Sequence, residues 1–114
     1  MEIFIESDGV KLFAHWSHPK NNPSRVGVII VHGLPVGVNG AATFAGSYPA
    51  FGDRLCSENS VTSLFFLMRG AADSPGEFSV HNWRRDIGSA IDAMANTGDV
   101  DEIILIGSSL GGVL

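Results

Sequence analysis

The amino-acid sequence predicts an α/β fold, in which a mainly parallel sheet is flanked by helices. Three apolar runs have the character of strands that are buried on both faces, as central parallel strands usually are: residues 26–31, 61–68 and 102–107. Segments with helical spacing of apolar residues separate these runs, and strands that alternate with helices favour a parallel sheet. A hairpin signal precedes the first run.

The predicted hairpin opens the chain. Apolar-rich runs at residues 3–5 and 10–16 are joined by Ser7-Asp8-Gly9. An Asp-Gly pair between such runs is a strong hairpin signal, because glycine readily adopts the positive φ that the turn needs. Apolar residues alternate along the second run, which predicts a strand with one buried face.

Two helices are predicted between the long strands. The first is indicated by the spacing of Tyr48, Phe51 and Leu55, with Pro49 expected near the first turn, where its missing N–H costs nothing. The second is indicated by an apolar stripe at three- and four-residue steps, formed by Val80, Trp83, Ile87, Ala90, Ile91 and Met94.

The ends of the second helix are also marked in the sequence. Ser79 is expected to cap its N-terminus, and Phe78 to pack against Trp83 as a hydrophobic staple. Asn96 and Gly98 are expected to end it. A further helix is expected to begin after residue 107, so that strand, turn and helix follow one another there.

Composition excludes several classes of function. The net charge of -5 and the lack of a basic patch give little support to nucleic-acid binding. No stretch approaches the ~18 apolar residues of a membrane span, and the acidic first ten residues do not form a signal peptide. The single Cys56 cannot form an internal disulfide. We therefore expect a cytoplasmic protein, with neither a metal nor a cofactor.

Residues 107–111 carry the most informative motif, Gly-Ser-Ser-Leu-Gly, which reads G-x-S-x-G with Ser109 at its centre. It directly follows a predicted buried strand, and glycines remove side chains where a tight turn brings strand and helix together. In this context the motif can expose a nucleophilic serine at the carboxyl end of a strand. The alternative interpretation is that Ser109 only caps a helix.

Two further segments carry a family resemblance. His32-Gly33-Leu34-Pro35 follows the first buried strand, and a pattern similar to R-G-x-G-x-S-x-G-x-F follows the second, at Arg69, Gly70, Ser74, Gly76 and Phe78. With the G-x-S-x-G motif and the order of elements, the whole chain resembles the first part of the α/β-hydrolase fold, in particular bacterial serine esterases and aminopeptidase-like hydrolases. Ala72 departs from the pattern, which usually has glycine there.

The resemblance implies a role for each matching residue. Ser109 would be the nucleophile of a serine hydrolase, and the backbone N–H groups of Leu34 and Leu110 would form the oxyanion hole. His32 and Gly33 would belong to the same substrate-binding loop. The implied substrates are small molecules with ester, thioester or small amide bonds, and no cofactor is implied.

The resemblance also implies missing parts. In this family the acid and the histidine of the triad follow the nucleophile, yet none of the five residues after Ser109 is Asp, Glu or His. We expect residues 1–114 to form a single incomplete domain, with about the first five strands of the fold and an apolar last strand at its edge. Three explanations stay open: a fragment of a longer hydrolase, a natural inactive truncation that serves as a binding or interaction module, or a chain completed by a C-terminal segment or partner.

Overall fold

A computed structural model describes residues 1–20, 24–32, 40–69 and 79–107, with only the backbone of residues 40–47. The elements, in chain order, are β1 (Glu2–Ser7), β2 (Val10–Ser17), β3 (Val26–Val31), α1 (Gly40–Asn59), β4 (Thr62–Phe66), α2 (Val80–Ala95) and β5 (Glu102–Gly107). This order confirms the predicted hairpin followed by alternating strands and helices. The expected helix after residue 107 lies outside the described residues.

The five strands form one mixed sheet in the order β1-β2-β4-β3-β5. Strand β3 is parallel to both β4 and β5. The hairpin joins the side of β4 by antiparallel pairing of β2. Asp8 and Gly9 of the hairpin turn have φ of 51° and 80°, which fits the Asp-Gly signal. The sheet therefore has a parallel core with an antiparallel hairpin at one edge.

The two helices cover opposite faces of the sheet. Helix α2 packs Trp83, Ile87, Ala90 and Met94 against one face, which includes buried residues of β1 to β4. Helix α1 packs Phe51 and its neighbours against the other face. Ser79 caps α2 as predicted, with its hydroxyl accepting from the Asn82 N–H at 3.0 Å. Asn96 is the C-cap, and Gly98 follows with a φ of 75°.

Three predictions need correction. Pro49 is inside α1 and not near its first turn, because α1 already begins at Gly40. Val80 does not belong to the buried stripe, since it lies in the first turn of α2 and is exposed. Strand β5 has the composition of a central strand, yet Ile104 and Leu105 are 49% and 48% exposed.

Strand β5 lies at the edge of the described sheet. Within the described residues it pairs only with β3, so one side of the strand has no neighbour. The prediction that this strand is buried on both faces is therefore wrong for the described residues, whereas its expected place at the edge of the sheet is confirmed. By contrast, β3 lies between two strands, and five of its six residues are buried.

Candidate active site

The carboxyl ends of the three parallel strands, β3, β4 and β5, lie at the same end of the sheet. Val31, the last residue of β3, pairs with Gly107, the last residue of β5. The strands that lead into the two sequence motifs therefore end side by side. Four of the predicted site residues lie outside the described residues: Gly33, Leu34, Ser109 and Leu110. The described part of the site comprises His32 and the groups around it.

His32 is completely buried at this end of the sheet. Its Nε2 atom accepts a hydrogen bond of 3.0 Å from the backbone N–H of Met68, just beyond β4. A ring nitrogen that accepts from an N–H carries no proton, so the ring is the neutral tautomer with its proton on Nδ1. The edge of the ring also faces the indole of Trp83, with centroids 5.1 Å apart and planes at 80°. His32 thus joins the ends of β3 and β4 to α2.

A buried charge pair lies beside this contact. Asp86, on α2, is fully buried and accepts from the backbone N–H of Arg69 at 2.8 Å. The Arg69 guanidinium donates to the same carboxylate through Nε at 3.0 Å and Nη2 at 2.7 Å. These hydrogen bonds raise the pKa of Arg69 above its ordinary value. These charge-assisted hydrogen bonds compensate for the burial of the guanidinium and the carboxylate.

The cluster around Asp86 extends to the hairpin. Ser7 donates to Asp86 at 2.7 Å and accepts from Ser89 at 2.9 Å. Nearer the surface, Asp8 accepts from Arg69 at 3.2 Å and from Arg85 at 2.7 Å. The turn that joins β1 to β2 is thereby tied to α2 and to the end of β4.

A second cluster contains serine, histidine and aspartate but has the wrong geometry for a catalytic triad. His15 Nε2 lies 2.8 Å from Oδ1 of Asp53, and the Ser17 hydroxyl donates to the same oxygen. The serine is thus hydrogen-bonded to the carboxylate, whereas a triad requires the serine to contact the histidine. These hydrogen bonds, that of Ser17 first, lower the pKa of Asp53.

This second cluster is also remote from the candidate site. Ser17 pairs with Ser63 near the start of β4, so the cluster lies at the amino ends of the parallel strands. It borders an open cleft of about 700 Å³ that also contacts Cys56. Burial raises the pKa of that thiol, which disfavours the reactive thiolate.

Asp86 is not among the residues predicted from the sequence. It lies three residues after Trp83 and four before Ala90, and therefore occupies a position of the apolar stripe of α2. An acidic residue within such a stripe is a signal, because a buried carboxylate needs a partner. Arg69 was noted only as part of a loop pattern, and its partner could not be identified without the packing of α2.

Solved structures match almost the whole chain. Est1E from Butyrivibrio proteoclasticus, in a structure with ferulic acid, is 28% identical with a TM-score of 0.79, and the match covers 97% of this chain and 44% of Est1E. A homologue of α/β serine hydrolases from Coxiella burnetii is 18% identical with a TM-score of 0.69, over 97% of this chain and 52% of that protein. The chain has the fold of the first part of an α/β serine hydrolase.

A solved esterase structure also matches the chain. Pf2001 from Pyrococcus furiosus is 21% identical with a TM-score of 0.76, over 99% of this chain and 43% of the esterase. The chain therefore spans less than half the length of either esterase. No family model and no curated protein matches it.

Two features are absent from the described residues. No group of His, Cys, Asp or Glu side chains there could hold a metal ion. Neither of the described helices combines the length and the apolar character needed to cross a membrane.

Proposed function

We propose that the protein is a serine hydrolase that forms an acyl-enzyme on Ser109. The observation that carries this proposal is the parallel pairing of β3 with β5, because the two strands end side by side. Strand β3 ends just before His32-Gly33-Leu34-Pro35, and β5 ends at the first glycine of the G-x-S-x-G motif. Similarity to Est1E over 97% of the chain supports the hydrolase class.

The reaction is acyl transfer in two steps. The Oγ atom of Ser109 attacks the carbonyl carbon of the substrate while its proton passes to a histidine base. The backbone N–H groups of Leu34 and Leu110 donate hydrogen bonds to the oxygen that becomes negative, which lowers the barrier. The leaving group departs with the proton from the histidine. Water then attacks the acyl-enzyme carbonyl and gives a proton to the same histidine. The bond to Oγ of Ser109 breaks, Oγ takes that proton back, and the acid product is released.

The base and the acid of this triad come from outside residues 1–114. His32 cannot serve as the base, because its Nε2 is occupied by the Met68 N–H and its Nδ1 is already protonated. His15 is hydrogen-bonded to Asp53 at the opposite end of the sheet. A complementing C-terminal segment or partner chain would supply both groups and would cover β5.

The substrate class is a small molecule with an ester, thioester or small amide bond. The ferulic acid in the Est1E structure supports a small-molecule substrate. The proposed chemistry uses no cofactor, since the nucleophile and the oxyanion donors are side-chain and backbone groups. A cytoplasmic location stays a prediction.

A second candidate function is that of a catalytically inactive binding or interaction module. The observation that favours it is the exposed apolar strand β5, whose Ile104 and Leu105 are half exposed. Exposed apolar edge strands readily pair with other chains. In this case Ser109 would have only a structural role.

A fluorophosphonate probe tests the proposal, because it reacts covalently with an activated serine. The experiment uses the complete product of the reading frame that encodes residues 1–114. We expect labelling of the wild type, no labelling of Ser109→Ala, and retained labelling of the matched control Ser108→Ala. Peptide mapping by mass spectrometry identifies the labelled residue.

The opposite results would separate the two candidates. If the complete protein folds but is not labelled, the hydrolase proposal is wrong and the interaction module is favoured. If Ser109→Ala is labelled as well as the wild type, the nucleophile is a different residue.

A further inference from the structure

The main chain just beyond β4 is held by side chains from two other elements. Strand β4 ends at Phe66, and Leu67 still pairs with β2 through a hydrogen bond of 2.8 Å to the Phe13 carbonyl. The next two residues, Met68 and Arg69, are held differently: side chains bind their N–H groups and the Arg69 carbonyl.

Three side chains supply these hydrogen bonds. His32 accepts from the Met68 N–H at 3.0 Å, and Asp86 accepts from the Arg69 N–H at 2.8 Å. The indole Nε1–H of Trp83 donates to the Arg69 carbonyl at 2.8 Å. We call His32, Trp83 and Asp86 the β4 clamp. All three side chains are buried, with exposed fractions of 1% or less.

The β4 clamp is linked to the proposed oxyanion loop by sequence. His32 immediately precedes Gly33 and Leu34. Its ring is fixed on one side by the Met68 N–H and on another by the edge contact with Trp83. A shift of Met68 or of Trp83 therefore moves the point from which the oxyanion loop starts. Oxyanion donors act at 2.7–3.1 Å from the developing charge, so displacements of about 0.5 Å reduce their effect.

We propose that Trp83 and Asp86 are positioning residues for the oxyanion loop, acting through Met68, Arg69 and His32. Asp86 and Trp83 fix the main chain at Arg69, and the fixed main chain sets the position of the neighbouring Met68 N–H. That N–H orients the His32 ring, from which the proposed oxyanion loop continues. The inference rests on the proposed function, because it assigns a task to residues behind the proposed site. Neither residue contacts the substrate.

Kinetics in the complete protein test this assignment. Trp83→Phe keeps an aromatic ring beside His32 but removes the donor to the Arg69 carbonyl, and we expect kcat for a p-nitrophenyl ester to fall about tenfold with KM unchanged. Loss in kcat alone is the signature of a lost transition-state interaction. The matched control Ile87→Val removes a methylene from the same buried face of α2 and should leave kcat unchanged.

Substitutions of His32 provide a rescue experiment. His32→Leu removes the acceptor for the Met68 N–H, and we expect kcat to fall about 100-fold, within the range found for loss of an oxyanion donor. His32→Gln retains an acceptor at the position of Nε2 and should recover most of this loss. Recovery by glutamine also shows that no imidazole chemistry is required.

Amide hydrogen exchange provides a readout that is independent of activity. We expect the Met68 and Arg69 amides to be protected in the wild type, and to exchange faster in Trp83→Phe and Asp86→Asn than in Ile87→Val. Unchanged kcat in Trp83→Phe or in folded Asp86→Asn, in a protein whose wild type is labelled at Ser109, would overturn the positioning role of that residue and leave the proposed function standing. A wild type without labelling would overturn the proposed function, and the catalytic part of this inference with it.

Discussion

Two arginine–aspartate pairs in this molecule have similar hydrogen bonds and very different surroundings. Arg25 donates to Asp101 through Nε at 2.7 Å and Nη2 at 3.0 Å, with side chains 55% and 65% exposed. Arg69 donates to Asp86 at 3.0 and 2.7 Å, with side chains 9% and 0% exposed. The first pair joins two surface loops, whereas the second fixes the end of a strand beneath the candidate site.

From this difference in burial we expect different contributions of the two pairs to stability. In water, screening and side-chain ordering offset most of the attraction. In the interior the carboxylate has lost its hydration, so every hydrogen bond to it is needed and removal of one partner leaves an uncompensated charge. The buried pair is therefore suited to fixing a geometry, as the β4 clamp requires.

The largest effect is expected for Asp86→Ala. Removing the carboxylate leaves the buried Arg69 guanidinium without its main partner, and we expect a loss of about 3–5 kcal/mol in the free energy of unfolding. Urea denaturation of the complete protein measures this. The control Asp92→Ala changes an exposed residue of the same helix and should be neutral. A loss below about 1 kcal/mol in Asp86→Ala would mean that burial does not distinguish the two pairs.

A smaller, pH-dependent effect is expected at Asp53. Because its pKa is lowered in the folded state, its contribution to stability is present above the unfolded pKa of about 3.9 and is lost as the pH falls through the folded pKa. Asp53→Asn should therefore be less stable than wild type at pH 7, by less than about 1 kcal/mol because the side chain is exposed.

The two curves of stability against pH identify the origin of this effect. The difference between wild type and Asp53→Asn should vanish below the folded pKa of Asp53, where the wild-type carboxyl is protonated. A difference that persists at the lowest pH would assign the effect to packing and not to charge.

The smallest effect is expected for Arg25→Ala. Its partner Asp101 is exposed, and the hydrogen bond from Arg25 lowers the pKa of Asp101. Because solvent surrounds this hydrogen bond, its contribution to the free energy of unfolding is small. We expect a thermal unfolding midpoint indistinguishable from that of the wild type. A clear decrease would indicate that the contact of Arg25 with the Gly98 carbonyl, at 2.9 Å, stabilises the loop before β5.

Much of the fold could be predicted from sequence because its signals are local. The Asp8-Gly9 turn, the Ser79 cap and the apolar runs each depend on residues within a few positions of one another. The order of strands could not be predicted in this way, since β4 pairs with both β2 and β3. The prediction for Pro49 was wrong because a proline can also stand inside a helix, and α1 begins nine residues before it.

The candidate site also has a part that could be predicted from the sequence and a part that could not. His32 and Ser109 were predicted from short motifs. The strands that precede them end side by side, where Val31 pairs with Gly107. The partners that hold His32 and Arg69 are 36 and 17 residues from the groups they bind. No local pattern encodes such contacts, so Asp86 and the indole of Trp83 acquired a role only from the packing of α2.

The position of β4 determines the order in which this sheet can assemble during synthesis. The hairpin and β3 both leave the ribosome before β4, yet they lie on opposite sides of it. Until β4 emerges, these two early parts share no sheet hydrogen bonds and cannot form a common core. Pairings between distant segments are slow because a long loop must close first. A nascent chain that pauses before residue 62 would thus be a hairpin and a separate apolar segment, and the arrival of one five-residue strand would join them.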